Sequence, residues 1–203
     1  MTSERAALAR RGRRLEYFTI GWNCLEGLVA VGAGVIAGSI SLVGFGADSF
    51  IEVTSGAALL WRMAGDVDPC QRERREQVAL RIVGACFLAL AAYVAQGAIR
   101  DLASHTASET SLPGIAVAGT SLVVMPLLSR AKRRVGRALG SAAMHADARQ
   151  TEFCTYLSAI LLGGLLLNAA VGLWWADAVA ALIMVPVIAK EGLDGIKGRA
   201  CCD

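Results

Sequence analysis

Nothing in this 203-residue chain is polar for long enough to fold as a soluble domain. The longest polar pieces are the N-terminus, residues 62–77 and a short tail after Lys190. Cysteine is sparse: six residues, scattered at 24, 70, 86, 154, 201 and 202, do not make a disulfide framework. Histidine is limited to His105 and His145, and an isolated histidine is more often a surface residue than a ligand. There is no Walker loop, nucleophile elbow or HExxH pattern, which excludes ATP hydrolysis and proteolysis and predicts no enzyme and no bound cofactor. Any uphill movement of a solute then has to draw on an ion gradient. Aromatics make up 6% of the chain, and only Phe45 and Phe50 stand near the acids described below, too few for a cavity that takes organic cations. No internal repeat is evident. No basic surface is separable from the apolar segments, so the net charge of +3 predicts no nucleic-acid partner. A cleavable leader is not expected either: Arg10-Arg11-Gly12-Arg13-Arg14 runs straight into a full-length apolar stretch without a small-residue cleavage site.

What the chain has in excess is hydrophobic residues, 55% of the total, with a mean hydropathy of +0.52. Such a bias points to a membrane. Six stretches, near 16–37, 40–61, 78–99, 113–129, 152–171 and 174–190, are each about long enough to span, at roughly 18 residues or more. Positive charge alternates between the connections. Arg5 to Arg14, Arg62 with Arg72, Arg74 and Arg75, Arg130 to Arg137, and Lys190 with Lys197 and Arg199 flank one side, while 38–41, 101–112 and 171–176 carry no Lys or Arg. By the positive-inside rule this predicts an all-α polytopic protein of six spans with both termini cytoplasmic. The organisation expected is a basic N-terminus over 1–15, a transport domain over 16–190 and a short tail over 191–203, in the cell (plasma or inner) membrane. Gly38-Ser39-Ile40-Ser41 is so short that spans 1 and 2 form an antiparallel hairpin, with Gly34-xxx-Gly38 permitting close contact. Trp22 and Trp61 are expected at the cytoplasmic boundary and Trp174-Trp175 at the outer one, as interfacial anchors.

Against that apolar background, ionisable residues in the spans stand out, since each costs roughly 2.5–3.5 kcal/mol at mid-membrane. Asp48 and Glu52 lie at i and i+4, so both carboxylates leave one helix face, with Cβ atoms about 6 Å apart. With no basic residue in the same span, two such acids call for a divalent cation or a shared proton. Asn23 and Glu26 share a face of span 1; Glu26 either joins the site or bonds a neighbouring helix while protonated. Gln150 and Cys154 repeat the i, i+4 spacing at the start of span 5, as packing residues or as ligands. Carboxylate, amide and thiolate together make a mixed hard and soft site that suits Zn²⁺ and softer ions better than Mg²⁺. Asp147 and Asp177 read as helix-end residues, Cys24 and Cys86 as packing residues. Cys201-Cys202 is either a disordered tail or a dithiol for soft metal.

These residues carry a resemblance. A span 2 of GSISLVGFGADSFIEV and a span 5 to 6 stretch of MHADARQTEFCTYLSAILL…WWADAVAALIM resemble the cation diffusion facilitator family over essentially the whole chain. The shortened form, without the cytoplasmic domain usual after span 6, is similar to its compact vesicular zinc transporters. The resemblance implies a proton-coupled metal exporter, working as a homodimer, with Asp48 and Glu52 at the span 2 ligand positions and Gln150 and Cys154 where the family carries His and Asp.

The expectation is therefore a secondary transporter that exports a divalent transition metal, zinc or a softer relative, in exchange for protons. Its metal site draws on Asp48, Glu52, Cys154, Gln150, Glu26 and Asn23. The alternative is a non-transporting membrane adaptor that binds metal through Cys201-Cys202. The helical rise of 1.5 Å per residue puts Asp48 nearer the outer face than Cys154. If tilt or a wide cavity does not bring them level, Glu26 or Asn23 completes the site without span 5.

Overall fold

Each apolar stretch becomes a helix, and each helix extends past the apolar stretch that announces it. A computed structural model describes residues 3–64 and 69–197. Among the described residues the elements are α1 (Ser3–Ala37), α2 (Ile40–Ala64), α3 (Pro69–Ser104), α4 (Leu112–Leu139), α5 (Ala142–Val171) and α6 (Ala176–Ile196), with no strand. The basic N-terminus is thus the first turns of α1, most of the expected 62–77 loop is helical, and the basic stretch 130–137 belongs to α4. Hydropathy locates the apolar part of a helix; its ends are set by local stop signals. Gly38, Gly140 and Gly172 follow α1, α4 and α5 with φ of 64°, 62° and 68°, the left-handed conformation that ends a helix with least strain at glycine. Ser111 and Ser141 cap the starts of α4 and α5, their Oγ atoms accepting from the Gly114 and Met144 amides.

Four helices, α1, α3, α4 and α5, are long and apolar enough to cross a membrane. α2, which bears Asp48, Glu52 and several hydroxyls, is not among them, nor is α6. Packing closes α1, α2, α5 and α4 into a ring, each helix against the next, while α3 and α6 pair alongside and touch it through α2 and α5. Close approach needs glycine at two crossings. A Cβ on Gly34 would stand 2.8 Å from the Val43 amide nitrogen, and one on Gly84 2.7 Å from the Gly192 carbonyl oxygen. Gly34 therefore makes the expected hairpin contact, whereas Gly38 serves the turn.

The main core gathers Leu42, Phe45, Val94, Leu157, Leu161, Met184 and Ile188. A smaller one joins Met125, Leu128 and Cys154 to Leu15, Trp22 and Val124. Trp22, expected as an interfacial anchor, instead packs inward. Trp174 stacks on His105 with ring centroids 4.8 Å apart. Trp61, Cys70, Cys201 and Cys202 lie outside the residues whose side chains are described.

Three connections meet at one end of the bundle, here the hairpin end. The Glu109 amide donates to the Ala37 carbonyl (2.8 Å), Asn168 Nδ2 to the Ser108 carbonyl (2.9 Å) and Ser39 Oγ to Asp177 Oδ1 (2.6 Å). The opposite end holds the 140–141 turn and the start of α1, and is called the termini end.

Candidate metal centre

Three helices of the ring send polar side chains inward at one level. From α2 come Asp48 and Glu52, from α1 Asn23 and Glu26, from α5 Cys154, and all five are buried. Cys154 Sγ donates to Asp48 Oδ2 at 3.1 Å and to Glu52 Oε2 at 3.0 Å. Asn23 Nδ2 donates to the same Glu52 oxygen at 2.8 Å. The i, i+4 spacing on α2 brings both acids to face α5, and α5 is level with them, which answers the doubt raised by counting residues along the two helices.

Glu26 stands beside this group without a direct bond to either acid. Its Oε2 accepts from Ser49 at 2.8 Å. Oε1 has no hydrogen-bond partner among the described residues, and neither do Asn23 Oδ1, Glu52 Oε1, Ser121 Oγ and Trp22 Nε1. So many unpaired polar atoms in one interior place are uncommon, because burying such a group without a partner costs about 1–3 kcal/mol. They mark a place built for something other than its own side chains.

Gln150 is set apart. Its Oε1 accepts from Ser55 at 2.8 Å, three residues beyond Glu52 towards the termini end, and its Nε2 is buried without a partner among the described residues. Four residues before Cys154, it sits about one turn, 6 Å, further along α5.

Among the described residues no three His, Cys, Asp or Glu side chains are arranged to hold a metal as they stand. Around a tetrahedral zinc with Zn–S near 2.3 Å and Zn–O near 2.0 Å, sulfur and oxygen lie about 3.5 Å apart. Here they are 3.0–3.1 Å apart, the separation of donors that share protons. Ligation of such an ion requires these separations to widen by about half an ångström. The donor set, two carboxylates, a thiol and an amide oxygen, then matches the mixed preference of zinc and its softer neighbours.

Sequence reasoning missed a second polar group, on the termini side. Lys132 of α4, within the basic connection read from Arg130 to Arg137, is fully buried. Its Nζ donates to Asp147 Oδ2 at 2.5 Å, to Glu16 Oε2 at 3.2 Å and to Thr151 Oγ1 at 3.2 Å. Asp147, read as a helix-end residue, is thus half of an internal ion pair. Asp177 is the helix-end acid it was taken for, in the first turn of α6, but it also accepts from the Ser39 and Ser41 hydroxyls at the tip of the α1–α2 hairpin. A signal for Lys132 existed: Lys132 and Asp147 fall where α4 and α5 continue past their apolar stretches, and Glu16 is the first residue of the stretch in α1.

With this geometry in view, the comparison with known proteins is decisive. The model of the cation efflux transmembrane domain matches residues 20–198. The chain belongs to the cation efflux family. It is accordingly a multi-pass membrane protein, in keeping with its four helices of spanning length and composition. Among curated proteins it is similar to an uncharacterized transporter of Methanocaldococcus jannaschii, 28% identical over 178 residues, 85% of this chain and 62% of the relative. It is also similar to transmembrane protein 163 of Xenopus laevis, 25% identical over 184 residues, 88% of this chain and 64% of the relative. The chain therefore spans just under two thirds of the length of these relatives. The resemblance to cation diffusion facilitators read from spans 2, 5 and 6 is borne out by the family match.

Proposed function

We propose that this cation efflux protein is a secondary transporter that moves a divalent transition metal, zinc or a softer ion, out of the cytoplasm in exchange for protons. The observation that carries the reading is the buried thiol of Cys154 hydrogen-bonded to both Asp48 and Glu52 in the middle of a helix ring. Asp48, Glu52 and Cys154 are the core ligands. Asn23 steers Glu52 and offers its free Oδ1, Glu26 lends charge from the side, and Gln150 is a station on the termini side of the site.

Exchange follows from the chemistry of these donors. Carboxylate and thiolate bind metal only when deprotonated, so metal and protons compete for the same lone pairs. In the proton-holding state the thiol hydrogen bridges the acids, the arrangement described above. Arrival of a divalent ion displaces those protons; reprotonation from the far side expels the ion. Alternating access to the centre, by helices rocking about it, then couples the two flows. In this reading α2 and α6 also cross the membrane, giving six spans with the basic termini end in the cytoplasm. By family likeness the unit is a homodimer. The rival adaptor reading depends on Cys201-Cys202, outside the described residues, and neither the buried centre nor the family favours it.

The test is zinc and cadmium flux into proteoliposomes under an imposed pH gradient, wild type beside Asp48→Ala. Gradient-driven flux that the substitution abolishes supports the transporter. Metal binding that survives Asp48→Ala but fails when Cys201 and Cys202 are replaced by serine would transfer the function to the tail.

A further inference from the structure

The Lys132 group lies on the termini side of the candidate metal centre. α2 runs from Asp48 through Glu52 to Gly56, and a Cβ on Gly56 would lie 3.6 Å from Glu16 Oε2. α5 runs the other way, from Asp147 through Thr151 to Cys154, and Thr151 touches Lys132. Both helices thus place the Glu16–Lys132–Asp147 cluster about one turn, roughly 5 Å, from the candidate ligands. The ammonium joins three helices of the ring at once: α4 through its own backbone, α1 through Glu16 and α5 through Asp147.

Stability is a poor reason for such a group. A buried ion pair seldom adds net stability over apolar residues of equal size, and its best-attested use is to select one arrangement over another. This one is also incomplete, since Glu16 Oε1 and Asp147 Oδ1 are buried without partners among the described residues. α4 has a natural point of bending between the centre and the lysine. Pro126 sits inside the helix, one residue beyond Met125 of the centre's own core, and lacks the amide that would bond one turn back. The segment from Leu127 to Leu139 is then tied to its neighbours by Lys132, by the Ser129 hydroxyl that donates to the Ala148 carbonyl at 2.8 Å, and by the Arg133–Glu152 ion pair. At the other end Asp177 is bonded by two hydroxyls and has no buried cation beside it among the described residues.

We infer that Lys132 is a positioning residue that latches the termini-end entrance: the Glu16–Lys132–Asp147 bridge holds α1, α4 and α5 together beneath the metal centre, and this entrance opens when the bridge parts. The inference deepens the transport reading and depends on it for its purpose. The latch itself is tested without transport. Cys154 serves as the reporter, in a protein whose Cys24, Cys70, Cys86, Cys201 and Cys202 are replaced by serine, reconstituted in sealed liposomes. A small cationic methanethiosulfonate is added to one face or the other and the rate of Cys154 modification is measured by mass.

Lys132→Met is expected to raise that rate from the termini face about tenfold or more, as when a minor open state of a few per cent is released, and to leave the rate from the hairpin face unchanged. The exchange Glu16→Lys with Lys132→Glu keeps one cation and two acids among the same helices and should return the rate to near the wild-type value. If Lys132→Met does not fold, Glu16→Gln/Lys132→Met/Asp147→Asn, which leaves no charge unpaired, is read the same way. Equal rates in variant and parent overturn the latch, and so does an equal rise from both faces, which reports general loosening. Loss of flux in Asp48→Ala speaks only to the transport reading, so the two fail separately.

Discussion

Replacing Lys132 by methionine keeps the length and apolar stem of the side chain and removes only the ammonium. In the native protein that ammonium is fully buried and its three protons are all used, on Asp147, Glu16 and Thr151. Its loss leaves two carboxylates facing each other in the interior, each already carrying one oxygen without a partner among the described residues. Breaking a buried pair from one side in this way costs about 3–5 kcal/mol, because the abandoned charge has no water to turn to. Removing all three charges has a different outcome. The triple variant Glu16→Gln/Lys132→Met/Asp147→Asn abandons nothing, so its stability should return to within about 1 kcal/mol of the parent or exceed it. The two results together amount to strong non-additivity, the signature of side chains acting as one unit. The assay is reversible unfolding in mixed micelles of rising dodecyl sulfate content, followed by far-ultraviolet circular dichroism. If Lys132→Met costs less than about 1 kcal/mol, the value of a solvated pair, the lysine is not buried as described and the latch loses its physical basis.

Further outcomes follow from the centre. Asp48→Asn, nearly isosteric, should weaken zinc binding by more than about 100-fold, beyond the range of an outer-sphere partner, as read by calorimetry on the purified protein. Asn23→Ala, which removes the donor on Glu52 Oε2, should cost about 10- to 100-fold, whereas Gln150→Ala, removing a group bonded to Ser55, should cost clearly less than Cys154→Ala. Cys154→Ser exchanges a soft donor for a hard one, so cadmium affinity should fall more than zinc affinity; parallel losses in competition titrations would remove the thiol from the ligand set. Metal affinity should rise with pH, because the acids and the thiol must shed protons to bind, and the number released, measured by calorimetry in buffers of different ionisation enthalpy, should be at least one. Pure enthalpy changes independent of the buffer would contradict proton exchange.

The sequence by itself determined the helices, their number and the candidate acids. Apolar runs cannot hide in a chain with so few polar stretches, and an acid inside such a run is conspicuous because the membrane makes it costly. The family, too, was legible in the span 2 motif around Asp48 and Glu52. Helix ends were not, because hydropathy measures contact with lipid, while a helix continues through Arg, Lys and Glu until a glycine or a capping serine stops it, as at Gly140 and Ser141. That gap hid Lys132: in sequence it is one cation in a basic run, and nothing local distinguishes it from Arg130 or Arg134, which are exposed. Only the tertiary structure decided which turn of α4 faces α1 and α5, and so which charge is taken out of water. The same holds for the level of the centre. Residue counts along α2 and α5 leave their relative height open, since rise per residue says nothing of how far one helix slides along another. Contact between Cys154 and the two acids, and the separation of Gln150 from them, is set by the packing of the four-helix ring.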